Sequence, residues 1–201
     1  MSWRNLILVV LLVFSLMGAY RHFALRPVEQ PPGVLVAEEP DQREVGAAAP
    51  SKWGNFTVTP LASYRLHARL LSRESYSRGP EGKLAPLDFL VGWGPMSDNG
   101  VLKHMQFSQA ARFAHWAFDG MPPIPPLLIN NHASNNHLIP ANDRVYKSLD
   151  KMRVGQVIEL AGYLVEVSTP DGWHWRSSLV RTDTGAGACE LIYVTRAEVK
   201  S

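Results

Sequence analysis

The chain has 201 residues, 46% of them hydrophobic, and a formal net charge of +2, which allows one compact domain with extensions and falls short of two ordinary domains. From Trp53 onward there are 15 Lys/Arg against 13 Asp/Glu, a balance that gives no electrostatic footprint for nucleic acid. Cys189 is the single cysteine, so an intrachain disulfide and any zinc site that needs two thiolates from one chain are excluded.

Residues 1–25 contain the apolar run LILVVLLVFSLMGAY, Leu6 to Tyr20. With Phe23 to Leu25 added and Arg21 reaching out to the interface, it approaches the roughly 20 residues that a bilayer requires. It is expected to be a transmembrane anchor. A cleaved signal is disfavoured, because a cut after Ala19 puts bulky Met17 where a small residue belongs. The expected location follows: the inner membrane, single-pass, with residues 6–20 in lipid and the remainder exported to the periplasm. Residues 26–52 carry five prolines, eight charges and no aromatic residue. They read as a disordered, Pro-rich tether.

Residues 53–201 are expected to be one mostly β globular domain with one or two short helices. In SYRLHARLLS, Tyr64, Leu66, Ala68 and Leu70 alternate with Arg65, His67 and Arg69, a period of two and hence a strand. LDFLVGWGPMSD supplies a buried run, with Trp93 as a core plug and Asp98 as a cap. FSQAARFAHWAF fits helix or strand. GMPPIPPLL is expected to be extended, since its prolines fix φ and remove donors. DRVYKSLDKM places Val145, Leu149 and Met152 on one helical face, capped by Asn142 and ended by Gly155. GQVIELAGYLVEV, WHWRSSLV and ACELIYV, separated by Pro170-Asp171-Gly172 and TDTGAG turns, read as three strands in a meander.

That last arrangement resembles the first three strands of an OB-type barrel, with Gly162 as the glycine that bends a long first strand. The segments PLDFLVGWGPMSD, NNHLIPAND, GYLVEV and WRSSLVRTDTGAGACE are similar to those of an uncharacterised family of bacterial proteins with an amino-terminal membrane segment. The resemblance implies architecture and location and supplies no catalytic residue.

Two clusters hold the candidate binding residues. The first is the segment NNHASNNHLIP, residues 130–140, with His132, Asn135, Asn136 and His137. It reads as a loop in which asparagines close turns on their own backbone and His137, next to an apolar exit, is buried with a partner. A metal would need both histidines and a third ligand such as Asp143 or His115. The second is RSSLVRTDTGAGACE, with Arg181 and Asp183 in its turn. Cys189 is in phase with Leu191 and Tyr193 and reads as a buried, inert thiol; a nucleophilic Cys189 would need His132 or His137 folded over it. No catalytic set, metal or cofactor is assigned. The expectation is a membrane-tethered envelope domain that binds a small molecule or an envelope protein. The alternative is an envelope hydrolase acting through a metal on His132 and His137 or through the Cys189 thiol.

Overall fold

The computed structural model describes every residue except Met1, Ala47, Thr184, Ala186 and Ser201, and for Tyr20, Arg21 and His22 the backbone alone. In chain order its elements are α1 (Trp3–Ala24), β1 (Asp41–Glu44), β2 (Ser51–Trp53), β3 (Phe56–Ser75), α2 (Gly79–Leu84), β4 (Leu87–Gly92), α3 (Asn99–Leu102), β5 (Met105–Ala110), β6 (Phe113–Phe118), α4 (Pro126–Asn131), β7 (Ala133–Pro140), α5 (Asp143–Asp150), β8 (Val157–Ser168), β9 (His174–Arg176) and β10 (Glu190–Val199). The fold is mainly β. The alternating residues of SYRLHARLLS lie in the middle of β3, whose 20 residues are long enough to pair with four other strands.

Five strands form a partly closed ring: β3 pairs with β4, β4 with β7, β7 with β10, β10 with β8, and β8 returns to β3. The β7–β10 pairing is parallel and the others are antiparallel. Inside the ring pack Leu66, Ala68 and Leu70 of β3, Phe89 and Val91 of β4, Leu138, Leu160, Leu164, Ile192 and Val194. Trp93 is fully buried among them, as expected. Because strand side chains alternate, Asp88, His137 and Leu191 must point outward. Their outer face is covered by a second cluster that includes Leu84, Ile139, Val165 and Val167, with Trp173 and Trp175 packed on it.

The carboxy-terminal segments are not a three-strand meander. β9 holds only the far end of β8, Glu166 to Ser168, while β10 takes the same edge from Ile158 to Leu164. β8 and β10 are therefore the closing strands of the ring rather than its opening ones, and β9 lies outside it. Gly162, expected to bend a long strand, allows a close approach of backbone: a Cβ there would lie 1.9 Å from the Tyr193 carbonyl oxygen, beside the register shift in β10.

Other local expectations divide. The α5 helix forms with the Asn142 cap as read, Oδ1 accepting from Val145 N at 3.1 Å, but it ends at Asp150 with Lys151 as its C-cap, short of Met152 and Gly155. FSQAARFAHWAF is the β5–β6 hairpin. Ala133–Pro140 of the expected asparagine loop is strand β7, paired on both edges. GMPPIPPLL, expected to be extended, instead bends at Gly120, Met121, Pro123 and Ile124 and becomes helical at Pro126, because proline at the first helical position lacks a donor that this position does not use.

Two further expectations fail for residues 1–52. Among the described residues no helix is long and apolar enough to cross a membrane, and the expected spanning helix is not found. The unbroken apolar run in α1 is shorter than the roughly 20 residues a bilayer needs. Residues 26–52, expected to be a free tether, lie on the ring. Val28 N donates to Val154 O at 2.7 Å and Gly94 N to Val36 O at 2.7 Å, Ser97 Oγ accepts from both Leu35 N and Val36 N, and β1 pairs with the part of β3 that β4 does not reach. Gly155 permits this docking, since a Cβ there would meet the Val28 carbonyl oxygen at 1.9 Å. Composition averaged over the segment hides one apolar residue, Val36, that is 1% exposed.

Removal of residues 1–25 is therefore expected to leave the melting temperature of the domain unchanged. Removal through Val36 is expected to lower stability by about 2–4 kcal/mol, for the lost burial and backbone bonds. Chemical denaturation of the two truncations checks this.

Candidate functional site

Antiparallel pairing of β4 with β7 sets Asp88 directly opposite His137, and both side chains face the covered outer side of the ring. Asp88 is 0% exposed. Its Oδ1 lies 3.0 Å from His137 Nδ1 and accepts from Arg112 Nη1 at 2.6 Å. The His137 contact is a close charge approach rather than an aligned hydrogen bond, and Asp88 Oδ2 has no partner among the described residues. A buried carboxylate needs compensating charge, and here two cations share one oxygen.

Arg112 reaches Asp88 from the tip of the β5–β6 hairpin. Ala111 and Arg112 both have positive φ, 49° and 71°, a turn geometry that normally selects Gly, Asn or Asp. The strain of such non-glycine residues, on the order of 1–3 kcal/mol each, is held by what Arg112 gains. Its Nη1 also donates to Ala85 O at 2.9 Å, its backbone N donates to Tyr76 Oη at 3.1 Å, and its guanidinium lies 3.8 Å from the Tyr76 ring centroid. The other face of the site is Trp175, whose ring centroid is 4.8 Å from that of His137.

Parallel pairing of β10 with β7 brings Cys189 to the same place, because the register Leu191 to His137 and Glu190 to Asn136 sets the residue before β10 beside Asn135. Asn135 Nδ2 contacts Cys189 Sγ at 3.6 Å and donates to Arg112 O at 2.9 Å, while Gln109 Nε2 donates to Asn135 Oδ1 at 2.8 Å. The Cys189 sulfur also interacts with the His137 ring. Burial by itself would push that imidazole down, but Asp88 and Cys189 together outweigh it and raise its pKa to about 9. The thiol is only part-buried and, with His137, Trp173, Trp175 and Arg176, lines an open cleft of about 320 Å³.

A second cleft of about 230 Å³ lies on the other flank of Cys189, lined by Asn135, Arg181, Asp183 and Glu190 among others. Arg181 Nη1 donates to Glu39 Oε2 at 3.0 Å, and Asp183 Oδ2 accepts from Ser178 Oγ at 2.6 Å. Glu190 is 5% exposed; burial raises its carboxyl pKa to about 8, with Asp183 acting in the same direction and Arg181 and His137 opposing.

Of the six sequence-named residues, His137 and Asn135 meet at Cys189, and Arg181, Asp183 and Asn135 share the second cleft. Asn136 points into the ring and bonds Phe89 O and Ser134 O. His132 caps α4, with Nδ1 2.8 Å from Leu128 O. Five residue steps into β7 set it about 16 Å from His137, so one metal ion cannot be held by both. Among the described residues no group of three or more His, Cys, Asp or Glu is placed to hold a metal. Thr184 of the expected TDTGAG turn lies outside the described residues. Sequence reading missed Asp88 and Arg112 as site residues, whereas Glu190 belongs to the second cluster it named, with Ser177, Ser178, Arg181, Asp183 and Cys189. The isolated charge in LDFLVG was the available signal for Asp88, since a lone carboxylate in a buried strand demands a partner.

Comparison with known proteins gives no significant match: no family model, curated protein or solved structure is similar to this chain.

Both raised groups give stability the same sign of pH dependence. His137 is protonated in the fold up to about pH 9 but only to about 6.5 when unfolded, so its contribution is complete below 6.5 and is lost as pH rises through 9. Glu190 binds its proton up to about pH 8 in the fold and to about 4.3 unfolded, so folding weakens between those values as well. The melting temperature is expected to fall steadily from pH 5 to pH 9. Glu190→Gln is expected to flatten the lower part of this slope and His137→Gln the upper part, as differential scanning fluorimetry across that range reads out.

Proposed function

We propose that Asp88, His137 and Cys189 form a thiol-dependent acyl-transfer or hydrolytic centre. The carrying observation is that one imidazole is met by a buried carboxylate and by the single thiol of the chain, at an open cleft. This is the nucleophile, base and orienting acid of the general triad logic. Asp88 fixes Nδ1, leaving Nε2 to exchange a proton with Sγ. The Cys189 thiolate attacks the carbonyl carbon of an ester or amide, and the carbonyl electron pair moves to oxygen. The tetrahedral intermediate collapses, His137 protonates the departing alcohol or amine, and a thioester on Cys189 remains. Water, deprotonated by His137, then attacks the thioester and releases a carboxylic acid and the thiolate.

The barrel itself is of OB type in this reading, a five-stranded Greek-key ring. Asp88 and His137 lie on its second and third strands, the face such barrels use for ligands, between the α2 connection and the long β8–β10 loop. The balanced charge argues against nucleic acid as that ligand. The α1 helix exposes apolar side chains on every side, from Leu6 to Met17, and we place it in contact with lipid, holding the domain at the inner membrane on the periplasmic side.

A second reading, a module that binds a small molecule or an envelope protein without chemistry, is favoured by one observation. An aromatic row runs from Trp53 to Phe56 (6.1 Å between centroids), Trp173 (5.9 Å) and Trp175 (6.3 Å), ending on His137 and flanking a groove of about 630 Å³.

Incubation of the purified protein with p-nitrophenyl acetate separates the two readings. An acyl group is expected to accumulate on Cys189 by mass spectrometry. The rate is expected to drop by about 100-fold or more in His137→Ala and to vanish in Cys189→Ala, with the melting temperature of the latter nearly unchanged. Acylation no faster than that of N-acetylcysteine favours the binding module. For α1, the full-length chain is expected to float with vesicles of phosphatidylethanolamine and phosphatidylglycerol, whereas a chain starting at Arg26 stays in the soluble fraction.

A further inference from the structure

The cleft beyond Cys189 carries polar atoms that the fold leaves unused. Glu190 is turned inward at the end of the ring, opposite Asn136 in the β10–β7 register. It is more than nine-tenths buried, and its Oε2 has no hydrogen-bond partner among the described residues. Nor has Nε of Arg181, although the same guanidinium is anchored at Nη1 by Glu39. Glu190 and Arg181, which carry this acceptor and this donor, both line a cleft of about 230 Å³ whose other walls include Leu90, Phe113 and Trp116. Unsatisfied buried groups of this kind are costly and call for an occupant.

The charges around the cleft restrict that occupant. The Arg181 cation is matched by Glu39, and Asp183 is engaged by Ser178. Burial keeps the Glu190 carboxyl largely protonated at neutral pH. A free carboxylate would meet Asp183 with no unmatched cation, and an ammonium group, which only donates, would leave Arg181 Nε without an acceptor. A neutral group that offers one N–H and one C=O side by side satisfies both orphaned atoms without burying a charge. That description is an amide.

We propose that this cleft is the substrate subsite of the Cys189 centre and that it takes a neutral primary carboxamide, with the N–H donating to Glu190 Oε2 and the C=O accepting from Arg181 Nε. This rests on the thiol reading of Cys189. A primary carboxamide presents the two groups on one side, whereas a trans peptide amide points them in opposite directions.

Two alkylating reagents of nearly equal size provide the test, iodoacetamide and iodoacetate, applied to the full-length protein at pH 7. The ratio of their rates at Cys189 is expected to exceed the ratio for N-acetylcysteine by about tenfold or more. The excess should disappear in Glu190→Leu and Arg181→Met and persist in Glu190→Gln, which keeps a donor and an acceptor. Circular dichroism and melting temperature confirm that each variant is folded; should Glu190→Leu fail to fold, Arg181→Met carries the same comparison. A rapid reaction with both reagents, at the N-acetylcysteine ratio, overturns the amide subsite and leaves the thiol centre standing. A reaction with neither reagent faster than with N-acetylcysteine overturns both. Propionamide is expected to protect Cys189 and N-methylacetamide, whose N–H and C=O point in opposite directions, to protect it less; no protection by propionamide overturns the subsite.

Discussion

A carboxylate with no access to water is the constraint around which this protein is arranged. Asp88 sits at 0% exposure in a strand of otherwise apolar and small residues, and a charge in that position persists only if other charges reach it. Each partner that reaches Asp88 fixes an element. Arg112 brings the β5–β6 hairpin across α2 and the end of β4, and does so through a turn whose two positive φ values no glycine supplies. His137 ties the β4–β7 pair together on its outer face and meets both Trp175 and Cys189. A substitution such as Asp88→Asn would leave two buried cations facing each other. The fold and the site therefore draw on the same few atoms.

The ring supplies the other half of the arrangement. Parallel closure of β10 on β7 is what puts a residue from near the end of the chain beside one from its middle, and the alternation of strand side chains sends Cys189 outward while Glu190 turns inward. Adjacent residues thus open onto different surroundings. Cys189 lies between two clefts and Glu190 closes the inner end of one of them. The amino-terminal segment contributes to the same region from outside, through Glu39 on Arg181, so a stretch that looked like a spacer helps to shape the second cleft.

What sequence reading recovered and what it missed follow physical lines. Period-two alternation in SYRLHARLLS and the Asn142 cap of an amphipathic helix are local signals; the strand forms as read, and the helix forms but stops at Asp150, short of Met152 and Gly155. A barrel-like sheet was anticipated, but from the wrong strands, because a hydrophobic pattern reports which face of a strand is buried and not which strand it pairs with. NNHASNNHLIP reads as a loop on asparagine content alone; β7 accommodates it because pairing on both edges satisfies the backbone, while Asn135 and Asn136 bond neighbours on opposite faces. His137 was correctly taken as buried beside the apolar Leu138-Ile139 exit. Its partners Asp88 and Cys189 lie 49 and 52 residues away in sequence, and only the sheet register brings them to it. Arg112 escaped notice because its strained turn carries no glycine to mark it.

The central claim, that one imidazole couples a buried carboxylate to the thiol, is tested most directly by NMR titration of the His137 ring nitrogens in the wild type and in Cys189→Ala. At pH 7 the wild-type ring is expected to be doubly protonated and to lose a proton only near pH 9, since Asp88 and Cys189 raise its pKa to about 9. In Cys189→Ala the transition is expected to move down, with the ring still held by Asp88. A wild-type ring that is singly protonated at pH 7, or a titration that is the same with and without the sulfur, would contradict the coupling and leave His137 as a packing residue of the barrel wall.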